Sequence, residues 1–136
     1  MTQEFILDAR LEGDSMPVLD LSLCTLRLMN DARYAWVLLV PKEAGLTEII
    51  DLGETDRALL MEEIARVSAA LKKITACDKL NVGALGNMVP QLHVHVIARF
   101  KTDAAWPGPV WGVGSAVGWE SEKRDALMTA LKRELG

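Results

Sequence analysis

From position 91 to position 100 the chain alternates. Leu92, Val94, Val96, Ala98 and Phe100 fall on one side, and Gln91, His93, His95, Ile97 and Arg99 on the other. A period of two sends successive side chains to opposite faces of a β-strand. The pattern predicts a strand over 91–100 with one face on the core and a row of polar groups on the other. Leu21 to Met29, interrupted by Ser22, Thr25 and Arg27, predicts a second strand. Ala35 to Val40 is an unbroken apolar run ended by Pro41, as expected of a strand buried on both faces. Asn30 to Arg33 supplies a reversal between them, so the two form an antiparallel hairpin. Leu80 to Leu85 predicts a further short strand. Phe5-Ile6-Leu7 fits either a strand or a short helix, and Leu11 to Pro17, with Gly13, Asp14 and Ser15, reads as a turn.

The period then changes. Leu60, Ile64, Val67, Leu71 and Ile74 recur at spacings of three and four, which places them on one helical face. Glu62, Glu63, Arg66, Lys72 and Lys73 take the other faces. Gly53-Glu54-Thr55-Asp56 reads as the start of this helix, with Thr55 as its N-cap. A last helix over 120–135, capped by Ser121, carries Leu127, Leu131 and Leu135 four apart. Between these elements lie a turn, Gly86-Asn87-Met88-Val89-Pro90, and a Gly-, Pro- and Trp-rich loop over 102–118. The expected fold class is α+β: an antiparallel sheet of about five strands, one long helix across it and a C-terminal helix. Residues 1–136 read as a single domain, with no internal repeat, low-complexity tract or linker.

Composition narrows the function. Half of the 136 residues are apolar and a quarter are charged, as in soluble globular domains. With 15 Lys and Arg against 19 Asp and Glu, the net charge is −4, which makes nucleic acid an unlikely partner. A small phosphorylated ligand stays open, because a few local donors suffice for it. Cys24 and Cys77 lie far apart, form no CxxC pair and read as reduced thiols. The N-terminus lacks the basic and apolar regions of a signal peptide, and no run approaches the roughly 20 apolar residues that span a bilayer. The expectation is a cytoplasmic protein with no membrane partner.

The chain has only two histidines, and both fall on one face of one strand. At this spacing their Cα atoms are about 6.5–7 Å apart, so two imidazoles can address one small anionic group. Three readings compete. The histidines are structural and bond locally. They hold a metal ion together with carboxylates from elsewhere, although neither a third histidine nor an acid within seven residues of His95 completes the usual ligand set. Or they act on phosphorus: one neutral imidazole attacks a phosphoryl centre while the other donates to its oxygens.

Gln91-Leu92-His93-Val94-His95-Val96-Ile97 resembles the signature of the histidine triad family of nucleotide hydrolases and transferases. That signature is His-φ-His-φ-His-φ-φ, with φ apolar. Every apolar position matches, and two of the three histidines do. The order of strands, turns and long helix before the signature extends the resemblance over roughly residues 5 to 106. The resemblance implies cleavage or transfer of a nucleoside monophosphoryl group, from dinucleoside polyphosphates or nucleoside phosphoramidates, through a nucleotidyl-histidine intermediate. His93 matches the nucleophile and His95 the phosphate-bonding position. Asn81 matches an amide position that contacts the ribose or phosphate region, Asn87 matches an amide position in the turn before the signature, and Asn30 lies near the ribose position; plain turn chemistry also accounts for Asn30 and Asn87. The resemblance further implies a purine nucleotide or nucleotide conjugate as ligand and a homodimer whose sheets join. It calls for no cofactor and no metal in the chemical step.

Three positions depart from the family pattern. Gln91 stands at the first signature histidine, and an amide cannot relay a proton near neutral pH. Met88 replaces a Ser or Thr that touches the phosphate in many members, and Trp36 replaces a further histidine on the preceding strand. These departures leave two alternatives beside the enzyme: a nucleotide-binding module with little turnover, or a metal-dependent site built on the histidine pair. The Trp106-to-Trp111 segment is either an aromatic lid or subunit contact, or a connector pinned by buried rings.

Overall fold

The computed structural model describes residues 3–136. In chain order these form a short helix α1 (Ala9–Asp14), strands β1 (Ser15–Asp20), β2 (Cys24–Met29) and β3 (Ala35–Pro41), and a 3-10 turn at Ile49–Asp51. The long helix α2 (Glu54–Thr75), strands β4 (Lys79–Gly83) and β5 (Val94–Arg99) and the helix α3 (Ser121–Leu135) follow. The five strands make one sheet in the order β1-β2-β3-β5-β4, with every neighbouring pair antiparallel. The α+β architecture and the β2–β3 hairpin are those that the residue pattern predicts.

Both faces of the sheet are covered. On one, Leu26, Leu28, Val37, Leu39, Val96 and Ala98 pack with the α2 stripe and with Leu131 and Leu135 of α3. On the other, Trp36, Leu38, Val40 and Ile97 pack with Leu11, Tyr34 and Val110, flanked by Phe5, Leu7 and Trp111. The alternation along β5 holds, but its second face is not a solvated polar row. All six β5 residues are buried, because the N-terminal segment and the loop after β5 fold across that face.

Several local expectations are corrected. Residues 15–17, read as part of a turn, belong to β1. Pro17 is tolerated because β1 is an edge strand, and a bulge follows between Pro17 and Leu19. The strand read over 91–100 is regular only from Val94, and the helix is capped by Gly53, not Thr55. Ser121 is the first residue of α3, and the cap is Glu120. Glu63 is not on an exposed face. It is 1% exposed and accepts hydrogen bonds from the amides of Leu23 (2.8 Å) and Cys24 (2.9 Å), satisfying backbone donors at the entry to β2. Both cysteines are free and buried, and burial first, then the nearby Glu63 charge, pushes the Cys24 thiol far up.

Candidate functional site

The site lies on the second face of the sheet, where β5 carries His95 opposite β3 and His93 immediately precedes the strand. The two rings stand side by side with centroids 5.0 Å apart. His93 Nδ1 is 2.7 Å from the backbone carbonyl of Gln91. A carbonyl only accepts, so Nδ1 carries the proton and Nε2 keeps a free lone pair. His95 Nδ1 meets the opposite partner. The indole N–H of Trp36 donates to it over 2.9 Å. Indole is a donor only, so in neutral His95 the proton sits on Nε2. The pair therefore presents a bare nitrogen beside an N–H donor. His95 is buried, and burial first, then the neighbouring His93, lowers its pKa to about 4.

The rings open onto a cleft of about 780 Å³ with an apolar and aromatic wall that includes Leu11, Met29, Leu38 and Trp111. Trp111 meets His95 edge to face, with centroids 5.3 Å apart. It can lie there because the residue beneath it is Gly83, which pairs with His95 across the sheet. A Cβ on Gly83 would sit 3.3 Å from the indole. Arg10 also borders the cleft. Its guanidinium is held by Asp8 and donates to the carbonyl of Met88 over 2.8 Å. A second lobe of about 450 Å³, sharing the Met29, Trp36 and Trp111 wall, extends toward Asn30 and Arg33. A smaller recess of about 220 Å³ adjoins His93 on the side of Gln91, Thr47 and Ile49.

The predicted site residues separate into three groups. His93, His95 and Asn87 line the main cleft, with Asn87 on an exposed turn beside Gly86 at φ +79°. Asn30 borders the second lobe and donates weakly to the carbonyl of Gly13, at 3.3 Å. Gln91 and Asn81 are engaged elsewhere. The Gln91 amide accepts from the backbone N–H of Asp8 (2.8 Å) and donates to the carbonyl of Ile6 (2.9 Å), tying the N-terminal segment to the entrance of β5. Asn81 accepts from Arg99 over 2.7 Å. Arg99, 1% exposed, also pairs with both oxygens of Asp103 and donates to the carbonyl of Gly108. Its hydrogen bonds hold the Asp103 carboxyl at about 2. This buried ion pair anchors the loop after β5, with Trp106 stacked 5.6 Å from the Arg99 guanidinium. The two readings of the Trp loop thus divide between its residues: Trp106 belongs to the anchor and Trp111 to the cleft wall.

Trp36, Trp111, Gly83 and Arg10 form the part of the site that residue types alone leave out. Trp36 is conspicuous in the sequence as a departure from the family pattern, but nothing local pairs it with His95. That contact depends on the β3–β5 register, which sets Leu38 opposite His95 and makes Trp36 its diagonal neighbour. Among the described residues, no group of three or more His, Cys, Asp or Glu is placed to hold a metal ion, and no helix is long and apolar enough to cross a membrane.

Fold and site define an α+β protein with a paired-imidazole cleft on one face of a five-stranded antiparallel sheet. The family model of the HIT domain matches residues 10–102. A crystal structure of a histidine triad protein from Bradyrhizobium japonicum is 49% identical, with a TM-score of 0.98 over 98% of this chain and 100% of that one. One from Sinorhizobium meliloti is also 49% identical, with a TM-score of 0.94 over 96% and 97%. A third, from Marinobacter aquaeolei, is 40% identical, with a TM-score of 0.95 over 98% and 97%. No curated protein matches the chain. The chain belongs to the histidine triad family, whose members are generally nucleotide hydrolases or transferases.

Proposed function

We propose that this protein is a nucleotide phosphohydrolase or nucleotidyl transferase acting at the α-phosphate of a dinucleoside polyphosphate or nucleoside phosphoramidate, with His93 as nucleophile. The observation that carries the reading is the Nδ1 bond of His93 to the Gln91 carbonyl, which in the neutral ring leaves the lone pair on Nε2, on a side chain that lines the cleft. The lone pair attacks the α-phosphorus and the bond to the leaving group breaks. The leaving group takes its proton from solvent, because the Gln91 amide holds none to give and both its ends are occupied. Water then attacks the same phosphorus and gives up a proton to solvent, the N–P bond breaks with its electron pair returning to Nε2, and a nucleoside monophosphate departs. His95 Nε2–H is the donor to the phosphoryl oxygens in both steps. The aromatic and apolar wall suits a purine, and Asn30 and Asn87 stand where they can meet the ribose and phosphate. In this reading Asn81 supports the site through Arg99. The family resemblance supports a homodimer, and the unpaired outer edge of β4, with Val82 half exposed, supports a sheet-to-sheet joint there.

A second reading rests on the occupied Gln91 amide: a nucleotide-binding module with little turnover. One experiment separates the two. The protein is incubated with a fluorogenic adenosine phosphoramidate and with diadenosine tetraphosphate, with and without EDTA, and quenched in base. EDTA-insensitive release of AMP, label trapped on His93, and a loss of at least about a thousandfold in His93→Ala are expected of the enzyme. AMP binding with neither product nor trapped label would establish the binding module, and activity lost to EDTA would establish a metal-dependent site.

A further inference from the structure

We propose that Trp36 is a positioning residue: its indole N–H fixes neutral His95 as the Nε2–H tautomer and so aims an N–H donor at the group held beside His93. The assignment of what that donor serves rests on the nucleotide chemistry proposed above; the tautomer itself does not.

The argument begins with donor and acceptor inventories. A histidine with a carbonyl or carboxylate at Nδ1 is held as Nδ1–H, as His93 is by Gln91. Two histidines so held would both point bare nitrogens into the cleft and leave a phosphoryl oxygen with no donor from either. Trp36 inverts the second ring. Its Nε1–H lies 2.9 Å from His95 Nδ1, and an indole cannot accept in return. Both side chains are buried, at 7% and 6% exposure, so water does not compete for either atom.

A titratable partner at position 36 would donate in one tautomer and accept in the other, and would let His95 turn over with it. Tryptophan allows one arrangement. It also opposes protonation, since a proton on His95 Nδ1 would confront the indole N–H. The charged or titratable groups bordering the cleft are His93, just before the strand, and, from the N-terminal side, Arg10 and Asp14. The facing residues of β3 and of the loop after β5, Trp36, Leu38 and Trp111, carry none. Among the described residues, no carboxylate hydrogen-bonds to His95 to favour its cation. The lowered proton affinity of His95, driven first by burial, agrees with this geometry.

The test is a long-range proton–nitrogen correlation spectrum of the uniformly labelled full chain, recorded from pH 8 down to pH 5.5. Expected are a pyridine-like Nδ1 and pyrrole-like Nε2 for His95, the reverse for His93, and a His95 ring that stays neutral over the whole range. In Trp36→Phe the two His95 nitrogens should average toward each other, and the ring should begin to titrate nearer the ordinary value of about 6.5. With the phosphoramidate as substrate, kcat should fall about tenfold to a hundredfold while KM stays within about threefold. A His95 proton on Nδ1 in the unaltered protein overturns the proposal, and needs no variant to fold. So does a Trp36→Phe protein whose His95 shifts and titration are unchanged. The expected tautomers in a protein with no turnover would uphold the Trp36 assignment and sink the enzymatic reading alone.

Discussion

His93 and His95 lie two residues apart and line one cleft, yet as neutral rings they carry their protons on opposite nitrogens because their Nδ1 atoms meet a carbonyl and an indole N–H. The residue type specifies neither arrangement. Burial also sets the behaviour of His95 in acid. His95 is neutral and buried in the folded chain with its pKa lowered to about 4, while in the unfolded chain it titrates near 6.5. Between these values the unfolded state binds a proton that the folded state refuses, so stability falls as pH drops from about 6.5 to about 4 and this contribution is flat below. The full difference is about 3 kcal/mol. Urea unfolding at pH 7 and pH 4 measures it against His95→Gln, whose side chain does not titrate and which should lose less on acidification. An equal loss in both proteins would refute the assignment.

At the scale of elements, the long helix was legible because its stripe at spacings of three and four has one consistent partner, the sheet. Leu60, Val67 and Leu71 are all within 2% of full burial. Its ends were less so. Gly53 caps the N-terminus through backbone conformation alone, and Ala76 closes the C-terminus in the left-handed region at φ 55°, donating to the Lys72 carbonyl. A Cβ is disfavoured in that conformation and glycine is at ease there. Ala76→Gly should therefore stabilise the protein by about 0.5–1 kcal/mol, after allowing for the greater freedom of glycine in the unfolded chain. A denaturant midpoint that moves down would show that the cap is not under this strain. Strand β1 shows the opposite difficulty. Its Gly-Asp-Ser-Met-Pro entry carries turn chemistry, and only its place at the sheet edge lets Pro17 sit in a ladder.

Across the whole molecule, the second face of the sheet is closed by segments far apart in sequence. The N-terminal segment is tied to residue 91 by two hydrogen bonds spanning more than 80 positions. The C-terminal segment is tied to the β2–β3 turn, where Asp31 and Arg33 bond Val117 and Val113 and the indole of Trp119 donates to the Met29 carbonyl. Gln91 thus serves as a staple where the family pattern has an imidazole. Gln91→Ala should cost about 1–2 kcal/mol, for one lost acceptor and one lost donor. Hydrogen exchange at the Asp8 amide should accelerate well beyond that of the β3–β5 ladder, because the segment opens locally. Uniform acceleration across the chain, or none at Asp8, would show that the tie does not hold the segment.

What the sequence determined by itself is whatever follows from short-range periodicity and residue chemistry. The strand through His95, the hairpin before it, the stripe of α2 and the α+β class belong here, as does the family. The apolar pattern at 91–97 and the spacing of His93 and His95 are local facts. Tertiary structure decided the rest: which nitrogen of each histidine is free, that Trp36 and Trp111 enclose His95, that Gln91 and Asn81 spend their amides on backbone and on Arg99, and that Glu63 is buried. Each depends on partners dozens of residues away, brought within hydrogen-bond distance by strand register and by two segments folding over one face. A hydrogen bond is made or lost over a fraction of an ångström, and hydrophobic periodicity carries no information at that resolution.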